Sequence, residues 1–120
     1  MRVLIDTNVL ISAAYSKSGI PNQAYRKALE PPYHAFISEQ SIEEFRSAVN
    51  RKFPEKSCIF ESFFAVALYG LTVIPVPSKP HSDEDLIRDA ADRPILRAAI
   101  QADIDVIVTG DFPPNPLTLC

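Results

Sequence analysis

Arg2-Val3-Leu4-Ile5-Asp6-Thr7-Asn8-Val9-Leu10-Ile11-Ser12-Ala13-Ala14 changes character at a single acidic residue. Before Asp6 the chain is continuously apolar over Val3, Leu4 and Ile5, as suits a short strand buried on both faces of a parallel sheet. After Asp6 the apolar positions support a helix, so the opening unit is strand, then helix. A second strand with the same kind of ending lies near the other end of the chain, where Val106-Ile107-Val108-Thr109-Gly110 leads into Asp111. Two carboxylates therefore stand where two strands should stop. In an open parallel sheet, ligands collect in the crevice outside the carboxyl ends of the strands. Acids delivered there point to a cation or a phosphate ester.

The segments between these two runs continue the alternation. Residues 21–29 read as a second helix, with Ala24, Tyr25, Ala28 and Leu29 inward, and Pro31-Pro32 ends it. Residues 34–37 form a second strand. Ser38 or Ser41 then caps a helix that runs to Val49, with Ile42, Phe45 and Val49 at helical spacing. Pro54 suits the first turn of a further helix carrying Ile59, Phe60, Phe63, Phe64, Val66, Ala67 and Leu68, closed by Gly70. Residues 71–76 make a third strand. The acids Asp83, Glu84 and Asp85 favour the positive start of a short helix, Asp92 precedes an alanine-rich helix over 94–102, and residues 104–109 make a fourth strand. The expected fold is α/β and three-layered: a central parallel sheet of about four strands with helices on both faces, since parallel neighbours need helical crossovers.

Composition sets the limits within which function can be sought. The chain's 120 residues suit one domain over 1–120, large enough to bury a core without staples. Eleven prolines concentrate in connections and in a proline-rich tail over 112–120, where a missing donor does least harm. Cys58 and Cys120 make a poor disulfide pair, and a reduced, cytoplasmic setting fits better. The first charges come too early for a signal peptide, and Gly70 and Pro75 break the longest apolar stretch, so no membrane span is expected. A net charge of −3 offers no basic surface for nucleic acid, so a polyanion would have to be met by a local patch or through metal ions.

Four acids can lie near strand ends or at the helix starts that follow: Asp6, Glu44, Asp92 and Asp111. Carboxylates crowded together repel, so such a set holds a proton or a hard divalent cation, and oxygen ligands suit Mg²⁺ or Mn²⁺. Such ions assist phosphodiester hydrolysis by polarising a phosphoryl oxygen and activating water. Each acid also has a structural reading. Asp6 can cap the following helix, Glu44 stands three after Ser41 as in a capping box, Asp92 can cap the helix at Pro94, and Asp111 can belong to a turn.

Leu4-Ile5-Asp6-Thr7-Asn8-Val9-Leu10-Ile11-Ser12 resembles the opening of the PIN-domain nucleases, and Asp92-Arg93-Pro94-Ile95-Leu96-Arg97-Ala98-Ala99 with Val106-Ile107-Val108-Thr109-Gly110-Asp111 resembles their closing motifs. Between them, Ser38-Glu39-Gln40-Ser41-Ile42-Glu43-Glu44-Phe45 is similar to the family's middle segment, in which Glu44 is the better match and Glu43 the fallback. The resemblance implies a metal-dependent ribonuclease of the toxin class found in toxin–antitoxin pairs. By that likeness Asp6, Glu44, Asp92 and Asp111 are catalytic and bind Mg²⁺ or Mn²⁺, while Asn8 and Thr109 orient Asp6. The attacking group is then a metal-activated water, the substrate RNA, and the partner an antitoxin protein. The family's closing strand and helix are shortened here, and an uncovered sheet edge invites pairing with a second copy, so a homodimer is expected.

Weaker features accompany these. Arg46, Arg51 and Lys52 can meet RNA phosphates or simply form a solvated face. Asp89 is close enough in sequence to Asp92 to assist the pocket. His34 and His81 lack partners at zinc-ligand spacing. Phe60, Phe63 and Phe64 are core residues first, with an antitoxin groove as the alternative. A haloacid-dehalogenase phosphatase would need an acid where Asn8 stands, and a response-regulator receiver would need an acid after the third strand, where Ile74-Pro75-Val76-Pro77 has none. A catalytically degenerate PIN-like domain that binds RNA or protein is the remaining alternative.

Overall fold

In the computed structural model, which describes residues 1–78 and 93–109, the chain follows the expected alternation. Strand β1 (Arg2–Ile5) leads into α1 (Thr7–Tyr15) and α2 (Ile20–Ala28); β2 (His34–Ser38) leads into α3 (Glu39–Lys52), a 3₁₀ turn (Pro54–Lys56) and α4 (Ser57–Gly70). Then follow β3 (Thr72–Ile74), α5 (Arg93–Gln101) and β4 (Val106–Val108). The strands lie in the order β3-β2-β1-β4 and every pairing is parallel. Val3 sits beside Ala35 on one side and Val106 on the other, so the two acid-tipped strands are direct neighbours. All four strands consequently end at one edge.

Helices cover both faces of the sheet, and among the described residues the two layers differ in bulk. On one face Val3, Ile5, Ala35, Ile37 and Val108 pack against α1, α2, α3 and α4 in the larger core. Phe45 and Phe64 stack there with ring centroids 4.3 Å apart, and Phe60 is buried beside them, which puts the aromatic residues of α4 in the core as expected. On the other face Leu4, Phe36 and Ile74 meet α5 through Ala98 and Ala99, both nearly inaccessible. Alanines let the helix backbone approach the sheet closely.

Local chemistry explains where elements stop. The third strand is shorter than residues 71–76 because Pro75 and Pro77 cannot donate to a ladder. Gly70 does not end α4 through a left-handed turn; Leu71, in extended conformation, is the cap residue. A side chain at Gly70 would meet Leu29 Cδ2 at 2.9 Å, so close approach to α2 is what this glycine permits. Leu29 itself is 37% exposed rather than inward, whereas Tyr25 and Ala28 are buried. Asn22, buried on α2, donates from Nδ2 to Ala13 O at 2.8 Å and ties α2 to α1, a contact that apolar periodicity does not reveal. Helix α5 ends in a Schellman arrangement, with Ile104 N–H donating to Ala99 O, Asp103 N–H to Ile100 O, and Asp103 left-handed at φ 54°.

Ile59 and Val66 on α4 point to solvent, 66% and 72% exposed, rather than joining Phe60 and Phe64. Cys58 is exposed with an unbonded thiol. The expected short helix after Asp83, the acids Asp89, Asp92 and Asp111, His81 and the tail over 112–120 lie outside the described residues.

Candidate active site

The first turn of α1 begins where β1 leaves the sheet. Asp6 has extended φ and ψ of −77° and 154°, its carbonyl accepts from Val9 and Leu10 N–H, and its side-chain Oδ1 accepts from Thr7 N–H at 2.8 Å. The capping reading of Asp6 therefore holds, and it does not preclude ligation. Asp6 N–H in turn donates to Val108 O at 3.0 Å, which anchors the acid beside the end of β4 and next to Thr109.

A second acid arrives from the neighbouring strand. Ser38 ends β2 and caps α3, accepting from Ser41 N–H at 3.1 Å, so Ser38 rather than Ser41 is the cap residue. That placement removes the capping-box reading of Glu44, because Ser41 is already three residues inside the cap. Glu44 instead accepts from the Thr7 hydroxyl at Oε2, 3.2 Å away, and from Gln40 Nε2 at Oε1, 2.9 Å away. Asp6 and Glu44, 38 positions apart in sequence (44 − 6), thus share Thr7 as a hydrogen-bond donor. Glu43 is exposed and Glu39 Oε1 accepts from Val76 N–H at 3.3 Å, joining α3 to the segment after β3.

Beside Glu44 opens a cleft of about 560 Å³ lined, among the described residues, by Glu39, Gln40, Glu43, Glu44 and Val76. Its position at the carboxyl ends of parallel strands is where such folds place ligands. Helix α5 also starts at this edge: its far end lies by the amino end of β1, where Arg2 Nε donates to Ala102 O at 2.9 Å, while Arg97 donates to Pro77 O at 2.8 Å beyond β3. A separate apolar cavity of about 310 Å³, between α2 and β1–β4 near Val3, Ala28, Tyr33 and Val106, has no carboxylate among its described lining residues.

The chain from residue 2 to 113 matches the model of the PIN domain. The protein belongs to the PIN-domain family. The fold of VapC20 from Mycobacterium tuberculosis, a toxin that cleaves the sarcin-ricin loop, superimposes with a TM-score of 0.64 at 14% identity, covering 92% of this chain and 91% of that one. At that identity the likeness concerns the fold. No curated protein matches the sequence.

Several site residues expected from sequence find definite places in this PIN fold. Asp6 and Glu44 are brought together through Thr7; Asp92 and Asp111 lie outside the described residues, among which no group of three His, Cys, Asp or Glu side chains is placed to hold a metal. Asn8, expected with Thr109 to orient Asp6, is exposed on the first turn of α1, and Thr7 beside it bonds both acids. Arg46 pairs with Glu61 of α4 at 3.7 Å, and Arg51 and Lys52 are exposed in the last turn of α3. Thr7 has no signature in the sequence, because a hydroxyl at the first helical position carries no periodic signal. The Gln40–Glu44 contact has the i, i+4 spacing of a helix-surface pair and was legible in principle.

The donor chemistry fits a hard divalent cation. Asp6 and Glu44 present only oxygens, and an ionised carboxylate has about four acceptor sites, so the two bonds that Glu44 accepts leave capacity for a cation. Among the described residues no helix is long and apolar enough to cross a membrane.

Proposed function

We propose that this PIN-domain protein is a ribonuclease that hydrolyses RNA phosphodiesters with Mg²⁺ or Mn²⁺, and that it serves as the toxin of a toxin–antitoxin pair. One observation carries the reading: two carboxylates from different elements share a buried threonine at the carboxyl rim of a parallel sheet. Asp6 and Glu44 hold the cation, joined by Asp92, which immediately precedes α5, and by Asp111, three residues after β4. The cation, when bound, supplies polarisation of the scissile phosphoryl group and a lowered pKa for water. Thr109 orients Asp6 from the end of β4, with Asn8 on the first turn of α1 as its counterpart.

RNA reaches the acidic rim past positive charge on α3. Arg51 lies seven residues beyond Glu44, two turns along the same helical face and about 10 Å away, so Arg51 with Lys52 meets phosphates flanking the scissile one. Arg46, tied to Glu61, contributes less. A cytoplasmic enzyme of this kind pairs with an antitoxin protein that restrains it. The described sheet edges, β3 and β4, make a homodimer part of the same proposal, and light scattering reads it directly.

The fold shared with a sarcin-ricin loop cleaving toxin suggests that loop as the first RNA to try. An RNA hairpin carrying it is incubated with the protein and Mn²⁺ or Mg²⁺, with EDTA and the Asp6→Asn protein as controls, alongside unstructured RNA. Cleavage that disappears in both controls is expected. Cleavage that persists in both overturns the metal-dependent mechanism, and RNA binding without cleavage under any condition overturns the enzyme reading.

A further inference from the structure

We propose that Thr7 is a positioning residue for the Glu44 carboxylate, setting it beside Asp6 before any cation arrives; this rests on the metal-dependent reading above. Thr7 is only 4% exposed, at the first position of α1. Its backbone N–H is committed to Asp6 Oδ1 at 2.8 Å. Its hydroxyl has Glu44 Oε2 at 3.2 Å and Ser41 O at 3.4 Å as acceptors. One hydroxyl has one proton to donate, and the charged, nearer carboxylate is the stronger acceptor.

The consequence concerns order rather than charge alone. Glu44 is an exposed residue with a long side chain, and a cation would otherwise have to immobilise it. Thr7 holds one of its oxygens and Gln40 the other, so the carboxylate is oriented from both sides before it binds. Placing donors between two acids also offsets their mutual repulsion. Outer partners of this kind, which orient ligands without touching the ion, commonly change metal affinity by roughly 10–100-fold.

Thr7→Val keeps the branched shape and the backbone N–H that Asp6 uses, and removes only the hydroxyl. Mn²⁺ affinity, followed by electron paramagnetic resonance on the whole chain, should weaken about tenfold in Thr7→Val and recover largely in Thr7→Ser. In a Glu44→Gln background the same Thr7→Val change should add little, because the residue through which it acts has already been altered. Thermal unfolding in EDTA checks that each variant is folded, and Thr7→Ala, which adds no bulk, answers the question if the valine variant is not. Wild-type-like Mn²⁺ binding in Thr7→Val, or an equal loss in the Glu44→Gln background, overturns the inference while the nuclease reading stands. Failure of the wild-type protein itself to take up Mn²⁺ overturns both.

Discussion

At its amino end α3 has polar side chains gripped from three directions, whereas at its carboxyl end Val49 is buried but the charged side chains stand in solvent. Ser38 caps the first turn, Thr7 reaches Glu44 from α1, and Val76 N–H donates to Glu39 from beyond β3. Seven residues on from Glu44, Arg51 and its neighbour Lys52 are exposed in the last turn, and the ion pair of Arg46 with Glu61 is itself open to solvent at 55% and 45% side-chain exposure. The difference follows from topology. The amino end of α3 leaves the sheet beside the carboxyl ends of β1 and β3, so neighbouring elements converge on it, while the other end projects away from the strand tips. Chemistry that needs several groups at fixed positions belongs at the first end, and electrostatic guidance, which tolerates mobile side chains, suits the second.

That contrast can be broken most decisively at Glu44. If the proposed site is right, Glu44→Gln should lower RNA cleavage by about a thousandfold, a barrier increase of about 4 kcal/mol, while leaving the fold intact. Glu43→Gln, one position along and exposed, should stay within a few-fold of wild type in the same single-turnover assay. Equal losses from the two would mean that the grip on Glu44 has no bearing on activity.

A smaller effect is expected from loosening the grip itself. Ser38 is 1% exposed, and Ser38→Ala removes the acceptor for Ser41 N–H and the partner of the Ser41 hydroxyl at 3.0 Å. Urea unfolding should show a loss of about 1–2 kcal/mol, with cleavage falling as the first turn of α3 frays. An unchanged midpoint would show that the α1 and β3 contacts hold the helix end without its cap.

At the exposed end the effects should be smallest and should depend on salt. The Arg51→Ala/Lys52→Ala double variant should change stability by less than about 0.5 kcal/mol, as surface substitutions do. Its RNA affinity should fall modestly at low salt, and the slope of log affinity against log salt should flatten by about 1.4 if both side chains neutralise a phosphate on single-stranded RNA. A slope identical to wild type would remove these two residues from the RNA path.

Much of this fold can be read from the chain because the hydrophobic pattern and the breakers act locally. The continuous apolar runs at Val3–Ile5 and Val106–Val108 lie in the strands expected of them, and the aromatic spacing of Phe60 and Phe64 proved to be the inward face of α4. Boundaries were less legible, since strand ends depend on which backbone groups find a neighbour. β3 stops at Ile74 although apolar residues continue, and Gly70 serves close packing against Leu29 rather than a helix-ending turn. The acids divide in the same way. Asp6 at the end of a strand was visible in one dimension, but whether Glu44 was half of a capping box or a partner of α1 was not, because Ser38 and Ser41 are equally good caps on paper.

By itself, the order of residues determined that alternating strands and helices form a parallel sheet and that acids stand near the strand ends, because side-chain periodicity and crossover geometry are properties of short stretches. Tertiary structure alone decided that Asp6 and Glu44 share Thr7 and that Glu39, on the same helix as Glu44, meets the backbone of Val76. The Thr7–Glu44 and Glu39–Val76 bonds each span 37 positions, and they exist only once the lateral order of β1, β2 and β3 has been settled by packing.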